Sequence, residues 1–177
     1  MKANRQCHRF SLLGIAALIA LASASAFAQD RAQRQRIDVE GYLIDATIDP
    51  AAQTITASAM VRFKPLDDTS TVSFELNPAL SISKVVDEDG RQIPASRGGD
   101  MTIRLSLPQM LRKGTTAVLT FVYDGKLGGE EESPVFGIKF AAIHPDFAYM
   151  MYPARWFPVN DYTADRFSSD MKITVPA

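Results

Sequence analysis

Thr54-Ile55-Thr56-Ala57-Ser58-Ala59-Met60-Val61-Arg62-Phe63-Lys64 decides the fold. Every odd position in it is apolar, and the even positions are polar or charged except Met60. Side chains of an extended chain point alternately to opposite faces, so a period of two predicts a strand with one face in a core. Working outward, the same alternation returns at Val72, Phe74, Leu76, then at Met101, Ile103, Leu105, Leu107, and again at Met171, Ile173, Val175. Ala117 to Tyr123 (AVLTFVY) is nearly all apolar, which predicts a strand buried on both faces. Asp49-Pro50, Asp87-Glu88-Asp89-Gly90, Gly98-Gly99-Asp100, Lys113-Gly114 and Asp124-Gly125 supply turn chemistry between the runs. From Ile37 onward no window of helical length shows apolar residues at i, i+3, i+4 and i+7 convincingly. Short strands with frequent turns predict an all-β, antiparallel sandwich.

The flanks of this region read differently. Residues 1–28 carry Lys2, Arg5 and Arg9 and no acid, then the apolar run Phe10 to Ala22, then Ala26-Phe27-Ala28. A basic start, a short apolar stretch and an A-x-A site make a secretory signal peptide, and the run is too short for a transmembrane anchor. The expected product is exported to a periplasmic or extracellular compartment, with no membrane span after cleavage. Residues 29–36 (QDRAQRQR) read as a polar leader, and residues 37–177 as the β-sandwich domain. The sequence stops at Thr174-Val175-Pro176-Ala177, directly after an alternating run, so the expected sandwich lacks its last strands.

Charge and composition exclude several functions. Without its first 28 residues the chain has 149 residues, with 16 basic groups against 20 acidic ones. That acidic balance argues against a nucleic-acid partner, which needs clustered Lys and Arg. Cys7 lies in the signal segment, so the exported product has neither a disulfide nor a thiol nucleophile. Its single histidine, His144, stands alone in Ile143-His144-Pro145-Asp146. A zincin needs H-E-x-x-H to aim two imidazoles at one metal, and that pattern is absent. A serine triad would have to recruit the same His144 with no Gly-x-Ser-x-Gly elbow. Glu130, Glu131 and Glu132 are contiguous, which is the pattern of solvated charge rather than of a glycosidase pair. The Asp124–Gly129 stretch lacks the Gly-Lys-Ser/Thr and the helix that a phosphate loop requires.

The densest chemistry is Phe147 to Tyr162, FAYMMYPARWFPVNDY, with six aromatics, two methionines and the only tryptophan, Trp156. Aromatics at this density stack on sugars, line a peptide groove, or fill a core that has no disulfide. The sequence leaves these readings open.

The same stretch carries a family resemblance. Ala154-Arg155-Trp156-Phe157-Pro158, continuing through Asp161 to Ile173-Thr174-Val175-Pro176, is similar to the N-terminal domain of the aminopeptidase N family of zinc metallopeptidases. There an Ala-Arg…Phe-Pro segment leads through an Asp-Glu-Pro motif to a strand ending in Val-Pro. Val39-Glu40-Gly41-Tyr42, Ile55 to Phe63, Phe74-Glu75-Leu76-Asn77 and Leu111 to Leu127 resemble its earlier strands, so the likeness covers about residues 37–177. Tyr162-Thr163 stands in place of Glu-Pro, and Met150-Met151-Tyr152-Pro153 in place of a Gln-x-Glu that helps hold a substrate's amino group.

The resemblance implies a saddle-like β-domain. It also implies a partner, the catalytic metallopeptidase domain of a longer chain, where the zinc cofactor and the catalytic residues lie. No zinc ligand and no catalytic residue is implied within these 177 residues. Tyr149, Met150, Met151, Tyr152 and Arg155 are implied as cleft-lining residues near a peptide substrate; equally, Arg155 and Asp161 form a structural ion pair at a loop corner. The alternative from another class is a stand-alone exported module that binds peptide or glycan through residues 147–162. Such a module should expose Trp156.

Overall fold

The computed structural model describes residues 37–98, 101–128, 140–160 and 166–176. The expected signal segment and leader, Glu130–Glu132, Asp161 and Tyr162-Thr163 lie outside the described residues. The described residues contain ten strands and no α-helix. β1 (Ile37–Asp49) and β2 (Thr54–Pro65) form a long hairpin, followed by β3 (Thr69–Glu75), β4 (Leu80–Asp87), β5 (Ala95–Arg97), β6 (Thr102–Leu111) and β7 (Ala117–Lys126). Two short strands, β8 (Ala141–Ile143) and β9 (Ala148–Met150), precede a 3-10 turn at Pro153–Arg155, and β10 (Ser168–Thr174) follows.

A five-stranded sheet runs in the order β10-β1-β2-β7-β4, and a three-stranded sheet in the order β3-β6-β5. The decisive run Thr54–Lys64 is β2, flanked antiparallel by β1 and β7. Its odd positions Ile55, Ala57, Ala59, Val61 and Phe63 are all buried. They meet Val72, Phe74, Ile103 and Leu105 of the smaller sheet in one core. Phe74 lies edge-on between Phe63 and Phe121, with centroids at 6.1 and 5.0 Å. Two sheets closing on one apolar layer make a sandwich.

Three details depart from the sequence expectation. β7 is buried at Leu119, Phe121 and Tyr123 but only half-buried between them, so it has a core face and a partly wet face rather than two dry ones. Its even residues lie on the outer side of the large sheet, where nothing among the described residues covers them fully. β10 pairs with β1 in parallel, so the large sheet is mixed rather than purely antiparallel. Every residue of β10 is exposed, although the alternation predicts one buried face.

Backbone contacts are close where β4 meets β7. A Cβ on Gly125 would run into the Ala79 carbonyl and stand 3.0 Å from the Leu80 Cα, so only glycine fits there. Arg97 fixes the neighbouring turn, donating 2.7 Å hydrogen bonds from its two terminal nitrogens to the Leu76 and Leu80 carbonyls. Burial pulls its pKa downward. Among the described residues Tyr123 is the largest fully buried side chain, and its hydroxyl has no hydrogen-bond partner there; burial raises its pKa.

Candidate functional site

The stretch from Phe140 to Val159 folds into an outer half and an inner half. In the outer half β8 and β9 pair antiparallel, with Ala141 opposite Met150 and Ile143 opposite Ala148. Pro145-Asp146 favours a turn, and His144 N–H closes it by donating to the Phe147 carbonyl at 2.8 Å. All of β8 is buried. The hairpin is held from below: Ile143 N–H donates to the Leu127 carbonyl at 2.6 Å, and Gln53 Nε2 donates to the Ile143 carbonyl at 3.0 Å. Gln53 has φ of 57°, a left-handed conformation that non-glycine residues seldom adopt, and its own carbonyl accepts from Leu127 N–H at 2.9 Å.

Above this anchorage the rings face outward. Phe147 and Tyr149 are nearly parallel, 17° apart with centroids at 6.4 Å, and His144 lies 4.6 Å from Phe147. Phe147 is 60% exposed. A second group sits at the far end of β9, where Tyr152 packs on Phe140 at 4.5 Å and the Arg155 guanidinium carbon stands 5.6 Å from the Phe140 centroid. That geometry is a cation–π contact. Met151 and Tyr152 are exposed beside it.

The inner half begins at the 3-10 turn, with Pro153 at its first position, where a missing N–H costs nothing. Asn77 captures the turn. It is fully buried, its backbone N–H donates to the Ala154 carbonyl at 2.7 Å, and its Nδ2 donates to the Arg155 carbonyl at 3.2 Å. Its Oδ1 accepts from Ala79 N–H at 2.9 Å. Val159 and Glu75 then exchange backbone hydrogen bonds at 2.6 and 3.0 Å, and Asn160 Nδ2 donates to the Ser73 carbonyl at 2.7 Å. Trp156 and Phe157 are buried, and Phe157 lies edge-on to Tyr42 at 5.2 Å.

The five residues expected in a cleft therefore separate. Tyr152 and Arg155 share Phe140. Tyr149 joins His144 and Phe147, and Met150 packs against the core. Trp156 is 6% exposed, contrary to what the binding-module reading required. The expected Arg155–Asp161 pair falls outside the described residues. Sequence reasoning missed Phe140, which precedes the aromatic-rich stretch, and Gln53 and Asn77, whose polar side chains bond to backbone from far along the chain. A buried Asn after an apolar run was the available signal for Asn77.

Chemically, the surface presents flat apolar faces and one guanidinium. Among the described residues no group of three His, Cys, Asp or Glu side chains could hold a metal ion. His144 is surrounded by rings rather than by further ligands, so these residues do not fit a zinc ion, which takes at least three protein ligands. No helix among the described residues is long and apolar enough to cross a membrane.

The fold is shared with solved M1 zinc metallopeptidases. An M1 zinc metallopeptidase from Deinococcus radiodurans, solved with a Tyr-Ser-Ala substrate, superposes with a TM-score of 0.68 at 21% identity, over 81% of this chain and 33% of that one. Another structure of an M1 zinc metallopeptidase from Deinococcus radiodurans gives 0.64 at 19% identity, over 82% and 33%. A two-domain M1 zinc metallopeptidase with bound L-arginine gives 0.65 at 18% identity. The chain thus spans about a third of the length of these structures. No family model and no curated protein matches it. At such identities the likeness establishes the architecture, an all-β domain of the kind that M1 metallopeptidases carry.

Proposed function

We propose that this chain is the non-catalytic N-terminal β-domain of an exported zinc-metallopeptidase-like protein. It packs on a catalytic domain and walls one side of a peptide cleft with Tyr149, Met151, Tyr152 and Arg155, with Met150 behind them. Support comes from one observation above all: the fold matches M1 metallopeptidases over most of this chain but only about a third of theirs. The Tyr152–Phe140–Arg155 group, exposed at Tyr152 and half-buried at Phe140 and Arg155, suits that role, since a ring and a cation together can hold an extended peptide. Zinc and the catalytic groups belong to the remainder of such a protein. The test is to recover the native product from its source and measure intact mass, zinc content and hydrolysis of aminoacyl chromogenic substrates. A mass well above 19.4 kDa with stoichiometric zinc and chelator-sensitive hydrolysis is expected. A product below that mass, free of zinc and inactive, sinks the reading.

A second reading rests on the near-parallel rings of exposed Phe147 and half-buried Tyr149 beside His144. Such a platform fits the flat face of a sugar ring or a peptide side chain, in a stand-alone exported module. Because Trp156 is buried, its fluorescence is a poor reporter. Calorimetric titration with glycans and peptides, repeated on Phe147→Ala, is the appropriate measurement. Heat that survives the substitution rules this platform out.

A further inference from the structure

Two residues of the proposed cleft wall, Tyr152 and Arg155, hang on one buried side chain. Asn77 sits at the corner between β3 and β4, just before Pro78, and is fully buried. Its Oδ1 accepts from Ala79 N–H at 2.9 Å, an Asx turn that fixes the side chain and leaves Nδ2 for the 3-10 turn. Nδ2 donates to the Arg155 carbonyl at 3.2 Å, and the Asn77 backbone N–H donates to the Ala154 carbonyl at 2.7 Å. The site calls for an acceptor and a donor on one short side chain, which is what a carboxamide offers. The corner is braced in turn from β5, where Arg97 forks at 2.7 Å to the Leu76 and Leu80 carbonyls on either side of Asn77. From the turn the grip passes outward through backbone: Arg155 N–H donates to the Tyr152 carbonyl at 2.9 Å, and Met151 N–H to the Phe140 carbonyl at 2.7 Å. Arg155 is thus held at both ends, its backbone by Asn77 and its guanidinium against the Phe140 ring, on which Tyr152 also packs. A long cationic side chain fixed at both ends has less freedom to lose when a ligand arrives than one fixed only at its root. All these bonds lie within the domain, whatever packs against its outside.

We propose that Asn77, braced by Arg97, is a positioning residue of the peptide cleft: it sets where Arg155 and Tyr152 stand against substrate, and so governs substrate affinity rather than the chemical step. This inference rests on the cleft-wall reading proposed for the chain. Asn77 and Arg97 do not touch the substrate; both act through the turn Pro153–Arg155. A side chain displaced by a fraction of an ångström loses much of a contact that depends on geometry. Where the lost contact is one that ground state and transition state share, KM rises and kcat is spared.

The test uses the zinc-loaded full-length protein from an exporting host, with alanyl, leucyl and phenylalanyl p-nitroanilides as substrates. Asn77→Asp keeps an acceptor for Ala79 N–H but turns a carboxylate oxygen toward the Arg155 carbonyl. KM should rise about tenfold, with kcat and zinc content unchanged. Arg97→Lys, whose ammonium cannot fork to two carbonyls as a guanidinium does, should raise KM about threefold; it decides the question alone if the buried carboxylate prevents folding. In a background carrying both Tyr152→Ala and Arg155→Ala, neither substitution should raise KM further, because the groups they position are gone. Leu105→Ala, a truncation of the core in β6, destabilises the domain away from the turn and should leave KM alone. A KM that ignores Asn77→Asp and Arg97→Lys but responds to Tyr152→Ala and Arg155→Ala overturns the positioning role and leaves the cleft wall standing. A KM indifferent to Tyr152→Ala and Arg155→Ala, or a native product without zinc and hydrolysis, removes the wall and this assignment with it. Additive effects in the doubly truncated background, or an equal rise in Leu105→Ala, overturn the proposal by reducing Asn77 to a support for the fold.

Discussion

Phe147–Tyr152 and Ala154–Val159 are adjacent in sequence and alike in composition, yet one lies on the surface and the other in the core. Phe147, Met151 and Tyr152 are exposed, whereas Ala154, Trp156, Phe157 and Val159 are buried. Hydrophobicity cannot separate them, because both halves are aromatic-rich. Backbone accounting does. The inner half gives its carbonyls and N–H groups to Asn77 and Glu75, which draw it across the end of the smaller sheet. The outer half satisfies its own backbone as a hairpin, so its rings are free to face water. Apolar character makes burial favourable, and hydrogen-bond partners decide which segment receives it.

This contrast can be broken most strongly at Phe157. Phe157→Ala should cost about 3–5 kcal/mol, the usual cost of emptying a buried aromatic site, read as a lower midpoint in denaturant unfolding. A loss near zero would show that the inner half is not part of the core. Asn77→Ala comes next. It removes the part-buried hydrogen bonds to the Arg155 carbonyl and from the Ala79 N–H, at about 0.5–1.5 kcal/mol each. Trp156 emission should move to the red as the turn loosens; unchanged emission with unchanged stability would mean that the rings alone hold the inner half.

Asp68 sharpens the point about setting. Its carboxylate also bridges distant groups, accepting from Lys113 N–H at 2.8 Å and Arg112 Nη1 at 2.7 Å, but in solvent. The Lys113 N–H foremost, then Arg112, hold its pKa below the ordinary aspartate value. The unfolded state therefore takes up the proton first, and this contribution is present above the unfolded pKa and lost as pH falls through the folded one. Asp68→Asn should slightly flatten the acid limb of the stability profile and leave neutral pH nearly unchanged. An equally steep acid limb would assign the slope to other carboxylates. The smallest effect belongs to Phe147→Ala, expected within about 0.5 kcal/mol of the parent because the ring is exposed. A larger loss would place Phe147 in a structural cluster rather than on a surface.

Much of the fold was legible in the residues. Alternation marked β2, β3 and β6 and their buried faces, and the turn residues marked most boundaries, because both depend on local geometry. What eluded the sequence depends on pairing at a distance. Nothing in Ser168–Thr174 says that its neighbour is Gly41–Thr47 in parallel, or that its apolar row lies beyond the reach of the smaller sheet. β7 read as buried on both faces because composition does not register which outer faces stay uncovered. At the candidate site the aromatic density was visible, but its division was not, since Asn77 and Gln53 act from positions far removed in sequence.

The β1–β10 pairing also constrains the order of folding. Lys172 and Asp45 meet from positions 127 residues apart, while β1 and β2 are joined by a tight turn. Closing so long a loop is entropically costly and slow compared with zipping a hairpin. During folding, β1 therefore passes a period paired on one side only, its second edge open while the intervening strands assemble. The join between the first strand and the tenth is the last to form and the first a perturbation should undo.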